Sequence, residues 1–152
     1  MAKKKHTTDS SIVNRRAKFD YELQDSYRVG IMLSGAETKA LRMGHGQLRG
    51  AYVTIKDGEL WLINATINGT IGIPVPEETR ARKLLAKHKE IEQLIAAKNS
   101  GLTIVPTKFF TKSRYIKVEI APGKGKKKYD KRETIKRRDT DRDTARAIQN
   151  YK

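Results

Sequence analysis

The sequence predicts a mainly β fold with α: a small antiparallel OB-like (oligonucleotide-binding type) β-barrel with two to three flanking helices and a disordered basic C-terminal tail. Three observations predict it. Residues 51–64 and 102–121 each have the pattern of a β-hairpin, only two stretches have helical spacing, and the composition becomes basic and polar after Pro122. The 152 residues are the length of one domain.

The composition divides the chain into three segments. Residues 1–13 are predicted to form a flexible basic arm, 14–122 the barrel, and 123–152 a basic tail. The tail has too few large apolar side chains for burial to offset its ordering entropy, so we expect it to be disordered when free. Because it lacks proline, it can become helical where an anionic surface neutralises it.

Two local signals place the first helix and the first hairpin. Ser34 and Glu37 have the spacing of a capping box at a helix start, and Gly44 supplies the stop. Asp57-Gly58 then indicates a type I′ turn between two β-rich runs.

The second half of the barrel is predicted as a long helix and another hairpin. Residues 77–99 have an apolar stripe at helical spacing that includes Leu84, His88 and Ile91. Residues 102–121 form two runs that turn near Lys112-Ser113, and the alternation in the second run turns Lys117 outward.

The charge balance indicates the class of partner. The chain has 33 Lys+Arg and 17 Asp+Glu, a formal net charge of +16. Such an excess favours a polyanion, with nucleic acid first and an anionic membrane surface second. The membrane alternative is weaker because the basic tail lacks a large apolar face. With no signal peptide and no long apolar run in the sequence, we expect a cytoplasmic protein.

The sequence offers little for catalysis or metal binding. It has no cysteine and only three scattered histidines. Asp139, Asp141 and Asp143 alternate like the opening of a calcium loop, but Thr144 and Asn150 stand where that loop needs Gly and Glu. We therefore predict no catalytic residue, no metal and no cofactor. An RNA-processing enzyme remains a third hypothesis, which metal-dependent cleavage would support.

An ordered series of motifs resembles the SsrA-binding protein (small protein B) family. It includes Gly30-Ile-x-Leu-x-Gly-x-Glu-x-Lys-x-Leu-Arg42, the hairpin Lys56-Asp-Gly-Glu-x-Trp-Leu-x-Asn-Ala65 and the tail segment Gly125-Lys-Lys-x-Tyr-Asp-Lys-Arg132. Arg82-Lys-Leu-Leu85 looks like part of that family's second helix. The series runs from residue 14 to about 142. Arg28 is a departure, since the family usually has Glu there.

The resemblance implies a function in ribosome rescue. Members bind the tRNA-like domain of transfer-messenger RNA and enter stalled 70S ribosomes with it, in trans-translation. Their tail lies in the empty messenger channel near the small-subunit decoding centre, where it becomes helical, and they have no catalytic activity. The alternative is a general single-stranded RNA-binding or ribosomal OB-fold protein, which explains the charge and the barrel but not the motif series. We expect a monomer.

The resemblance, the basic clusters and the aromatic residues that could stack on unpaired bases predict two sets of site residues. The RNA-binding set of the body is Asn14, Arg15, Lys18, Glu37, Lys39, Arg42, Gln47, Tyr52, Lys83, Leu85, Lys87 and Lys117. The ribosome-binding set of the tail is Lys124, Gly125, Lys126, Lys127, Tyr129, Asp130, Lys131 and Arg132. Two of these have alternative roles, Leu85 in the core and Glu37 as the capping partner of Ser34.

Overall fold

The structure is a computed structural model that describes residues 11–69, 72, 74–75 and 77–150. Four helices are present in this part of the chain: α1 (Arg15–Asp20), α2 (Gly35–Arg42), α3 (His88–Asn99) and α4 (Lys128–Asn150). The strands are β1 (Ser11–Val13), β2 (Tyr21–Leu23), β3 (Tyr27–Ile31), β4 (Gly46–Gln47), β5 (Tyr52–Lys56), β6 (Glu59–Ile63), β7 (Thr66–Ile67), β8 (Arg82–Leu85), β9 (Thr103–Phe110) and β10 (Lys117–Gly125).

Six antiparallel strands close into a barrel. Their order is β9-β5-β6-β8-β3-β10, and β10 pairs with β9 to complete the ring. Strand β1 pairs with the end of β9, β2 pairs with the end of β10, and β4 and β7 form a separate two-stranded sheet. The small antiparallel barrel with flanking helices confirms the predicted fold class, with six strands in the ring.

The local predictions for α2 and the first hairpin are confirmed. Ser34 caps α2 through a complete capping box with Glu37. Asp57 and Gly58 have φ values of 53° and 73°, the left-handed backbone that a type I′ turn requires. The hairpin pairs Tyr52 with Ile63 and Lys56 with Glu59.

Alternating side chains of the strands fill the barrel. Leu60, Leu62, Phe109, Val118 and Ile120 have no exposed surface. From α3, Leu94 is also fully buried, so this helix packs against the core. The buried side chains of β9 and β10 therefore contribute to the burial that stabilises the ring.

The prediction of one helix over 77–99 is wrong. Residues 82–85 form β8, which pairs with β6 and with β3, and the helix begins only at His88. Arg82 and Leu84 both point inward, as alternate residues of a strand do. His88, predicted on the apolar stripe, is 87% exposed and lies 3.0 Å from Glu92.

The predicted segment boundaries also shift at both ends. Ser11–Val13 of the expected arm pair with β9, and residues 1–10 lie outside the described part. Strand β10 continues to Gly125, three residues beyond the predicted end of the barrel at Pro122. A Cβ at Gly123 would lie 3.1 Å from Tyr21 Cβ and 3.2 Å from Glu22 O, so a larger residue there would require a small shift of β2.

Candidate nucleic-acid interface

Helix α2 is held on the barrel by a buried ionic cluster. Glu37 is 1% exposed, and its two carboxylate oxygens accept hydrogen bonds from Arg80 and Arg82. Arg82 is completely buried and also donates to the carbonyl oxygens of Ala65, at 2.8 Å, and Glu78, at 3.0 Å. The cluster thus connects α2, β8 and the segment that precedes β8.

The environment of Glu37 keeps its carboxylate charged. Burial alone raises the pKa of Glu37, but hydrogen bonds from Arg80, the Ser34 amide and Arg82 outweigh it. The pKa of Glu37 therefore lies below its ordinary value. Burial lowers the pKa of Arg82, and the Glu37 carboxylate opposes that change. A buried charge pair of this kind is stable only while both partners are present.

The prediction that Glu37 faces RNA is corrected by this geometry. The carboxylate is enclosed and fully engaged, so it has no surface to offer a ligand. The capping alternative holds, since its backbone amide donates to Ser34 Oγ at 3.2 Å. Glu37 is instead a positioning residue for α2, whose Lys39 and Arg42 are exposed.

Asn14 also has an internal role. Its side chain is buried, and Nδ2 donates to the carbonyl oxygens of Pro106, at 2.9 Å, and Leu48, at 3.2 Å. Its amide donates to Thr107 O at 2.7 Å. Asn14 therefore ties the start of α1 to β9 and leaves little surface for RNA, which corrects the prediction of a direct contact through its side chain.

An outward-facing row of residues crosses four strands. Leu85 of β8 lies opposite Gly30 of β3, Gly30 opposite Lys117 of β10, and Lys117 opposite Phe110 of β9. Lys117 is exposed, as predicted, and Leu85 is 51% exposed, so the core alternative for Leu85 is wrong. We call Gly30, Leu85, Phe110 and Lys117 the Lys117 face.

Arg42 connects α2 to the turn beside this face. Its Nη2 donates to Arg114 O at 3.0 Å and to Ser113 O at 3.4 Å, both in the β9–β10 turn. Glu37 fixes the position of α2. Because Arg42 of α2 holds the β9–β10 turn, Glu37 also influences where this turn lies beside the Lys117 face.

Other predicted RNA-binding residues are distributed around the barrel. Arg15 and Gln47 line one groove of about 330 Å³ with Arg16 and Arg49, two exposed arginines that the prediction omitted. Lys83 is half-buried and lies 2.8 Å from Glu59, so its charge is already paired. The remaining members are exposed: Lys18 on α1, Tyr52 on β5 and Lys87 before α3.

The tail begins at the end of β10 and continues as α4. Lys124, Gly125, Lys127 and Arg132 are exposed. Lys126 N donates to Asp20 O at 2.9 Å, and Lys131 Nζ lies 3.1 Å from Asp20 Oδ1, so the start of α4 rests against α1. The side chains of Tyr129 and Asp130 lie outside those that the structure describes.

The part of the chain that the structure describes contains neither a membrane-spanning helix nor a metal-binding cluster. No helix in this part of the chain combines the length and apolar character needed to cross a bilayer. Nor does any group of three His, Asp or Glu side chains within it come close enough to hold a metal ion. Asp139, Asp141 and Asp143 lie along α4, in a helix and not in a loop.

A closed antiparallel barrel with exposed cations on its outer face and a basic helical extension is typical of small barrel proteins that bind nucleic acids. The sequence profile of the SmpB protein family matches residues 11–150. The chain belongs to this family.

Relatives match over nearly the whole chain. An SsrA-binding protein of Trichormus variabilis is 45% identical over 142 residues, covering 91% of this chain and 92% of the relative. Those of Synechocystis and Pseudomonas putida are 42% and 41% identical, covering 97% and 99% of this chain and 99% and 97% of the relatives.

A solved structure is also similar. It is described as "tmRNA-SmpB: a journey to the center of the bacterial ribosome". Its matching chain is 37% identical, with a TM-score of 0.66, and the match covers 78% of this chain and 85% of that one.

Proposed function

We propose that this protein binds the tRNA-like domain of transfer-messenger RNA and delivers it to stalled ribosomes for rescue in the cytoplasm. The observation that carries the proposal is the family match, which spans barrel and tail together, from residue 11 to residue 150. We assign the barrel an RNA-binding role, the tail a ribosome-binding role, and neither a catalytic one.

The body supports RNA recognition by shape and charge. Lys39, Arg42 and Lys117 are exposed on elements that the buried Glu37–Arg82 pair and the barrel hold rigid. Cations carried on a rigid backbone suit phosphates of a folded RNA, because only their side chains have to be ordered when the RNA arrives. Leu85 beside them offers an apolar contact for a base or a ribose.

The tail supports recognition of an empty messenger channel. Its basic side chains are largely exposed along α4, so they can approach ribosomal RNA phosphates that a messenger otherwise covers. The helix would then reach the decoding centre only on a ribosome that lacks messenger beyond that point. Disorder of the tail in the free protein stays a prediction.

Competition binding tests the proposed partner. Labelled tRNA-like domain of transfer-messenger RNA is bound at about 0.2 M salt, where non-specific phosphate binding is weakened. We expect binding to survive an excess of ordinary tRNA and of unstructured RNA. Equal displacement by either competitor would favour the alternative of a general RNA-binding protein.

Lys117→Glu is expected to weaken binding of the tRNA-like domain while the barrel stays folded. The flanking Ile116 and Val118 provide the packing, and the Lys117 side chain is exposed. The salt dependence of the binding constant should fall by about one unit of slope, as for one lost phosphate contact. Lys56→Glu, at the tip of the first hairpin, is the control. Loss of cooperative thermal unfolding in Lys117→Glu would instead make this residue structural.

A further inference from the structure

Next to the Lys117 face, an arginine is stacked on an aromatic ring. The guanidinium carbon of Arg28, on β3, lies 3.6 Å from the centroid of the Phe110 ring, on β9. Lys108 Nζ lies 4.9 Å from the same centroid. In the sheet, Arg28 is opposite Glu119 and Glu119 is opposite Lys108, two residues along each strand from the Lys117 face. The outward face is therefore continuous.

The ring holds the Arg28 guanidinium in place of an ion pair. Arg28 has no carboxylate partner among the described residues, although Glu119 is its cross-strand neighbour. The Glu119 carboxylate instead accepts hydrogen bonds from Thr107 Oγ1, at 2.6 Å, and Ser26 Oγ, at 3.2 Å. Arg28 itself is exposed, so stacking orients its plane and leaves the opposite face toward solvent.

A shallow groove begins at this stack. Arg28 and Phe110 line it with Thr111, Lys112 and Ser113 of the β9–β10 turn, and its volume is about 260 Å³. Sites that enclose a whole small molecule usually measure roughly 300–1,000 Å³. A groove of this size, lined by the Arg28 guanidinium and the Phe110 ring, instead suits one flat ring system.

We propose that the Arg28–Phe110 groove binds one unpaired base of the RNA, which stacks on the open face of the Arg28 guanidinium. Unpaired bases stack on arginine planes as well as on aromatic rings. The Arg28 charge is unpaired and Lys108 adds a second cation, so the flanking phosphates are attracted to the same place. The proposal rests on the proposed function, and the two arms of the experiment below distinguish transfer-messenger RNA from ribosomal RNA as the source of the base.

Arg28→Lys separates stacking from charge. The substitution keeps the positive charge and removes the planar guanidinium group. We therefore expect about tenfold weaker RNA binding, which is in the range for loss of one stacked base. The salt dependence of binding should be unchanged. Arg142→Lys, on the tail helix, is the matched control in the binding assay with the isolated tRNA-like domain, since Arg142 is exposed and has no ring contact among the described residues. Phe110→Leu, checked for cooperative unfolding, should weaken binding similarly because it releases the Arg28 plane.

Two arms distinguish the source of the base. One measures binding to the isolated tRNA-like domain, with 2-aminopurine placed in turn at its unpaired positions, and the other measures binding to ribosomes with an empty messenger channel. Loss of affinity in either arm, or a change in 2-aminopurine fluorescence at one position that Arg28→Lys abolishes, supports the site. Unchanged affinity in both arms overturns it. Wild-type protein without preference for the tRNA-like domain would contradict the proposed function alone, because an Arg28-dependent loss can still be measured on any RNA.

Discussion

Glu37→Gln is expected to lower the free energy of unfolding by about 3–5 kcal/mol, the cost of removing one partner from a buried ion pair. The substitution leaves Arg82, which is completely buried, without its counter-charge. It also removes the charge that Arg80 pairs with. Glutamine has nearly the shape of glutamate, so the decrease in the free energy of unfolding reports the missing charge and not a cavity. Denaturant unfolding followed by circular dichroism at pH 7 measures it.

A surface ion pair provides the control for Glu37→Gln. Glu59 pairs with Lys83 at 2.8 Å, and the two side chains are 44% and 32% exposed. Exposed pairs of this kind contribute at most about 1 kcal/mol. Glu59→Gln should therefore have a small effect, and equal losses for Glu37→Gln and Glu59→Gln would contradict the buried-pair interpretation.

The pH dependence of stability provides a second test of the buried Glu37–Arg82 pair. Because the folded-state pKa of Glu37 is lowered, its charge stabilises the fold above the unfolded pKa of glutamate, about 4.3. That contribution is lost as the pH falls through the folded-state pKa of Glu37. The stability difference between wild type and Glu37→Gln should be constant from about pH 6 to 8 and shrink below about pH 4. A difference that grows on acidification would mean that the pKa is raised instead.

Truncation after Lys127 is expected to leave affinity for the tRNA-like domain within about twofold of wild type while abolishing rescue of stalled ribosomes. Helix α4 rests on α1 through surface contacts such as Lys131–Asp20, which contribute about 1 kcal/mol or less. The barrel therefore stays folded without it. Binding to the RNA domain and peptide tagging on ribosomes stalled at a messenger end are the two measurements.

The cut point matters because β10 extends beyond the compositional boundary. Truncation after Pro122 would remove Gly123–Gly125, which pair with β2, and would expose the edge of that strand. We expect this shorter protein to be less stable, with impaired RNA binding as a secondary effect. If truncation after Lys127 loses RNA affinity while unfolding cooperatively, the division of roles between barrel and tail is wrong.

Features that depend on neighbouring residues could be predicted from the sequence. The capping box needs Ser34 and Glu37, and the type I′ turn needs Asp57 and Gly58, each within a few positions of the chain. The exposure of Lys117 follows from strand alternation in the same way. The motif series and the net charge pointed to the family and to an RNA partner without any tertiary information.

Features that join distant segments were decided by the tertiary structure. Residues 82–85 fit a helical stripe, but closing the barrel requires a strand between β3 and β6, and pairing with both outweighs local helical preference. Glu37 and Arg82 are 45 positions apart, so no spacing rule identifies them as partners or moves Glu37 from the surface to the interior. The stacking of Arg28 on Phe110 likewise exists only because β3, β10 and β9 lie side by side. Local sequence determined caps, turns and charge, whereas burial and long-range pairing decided which of the polar residues are exposed and which hold the barrel together.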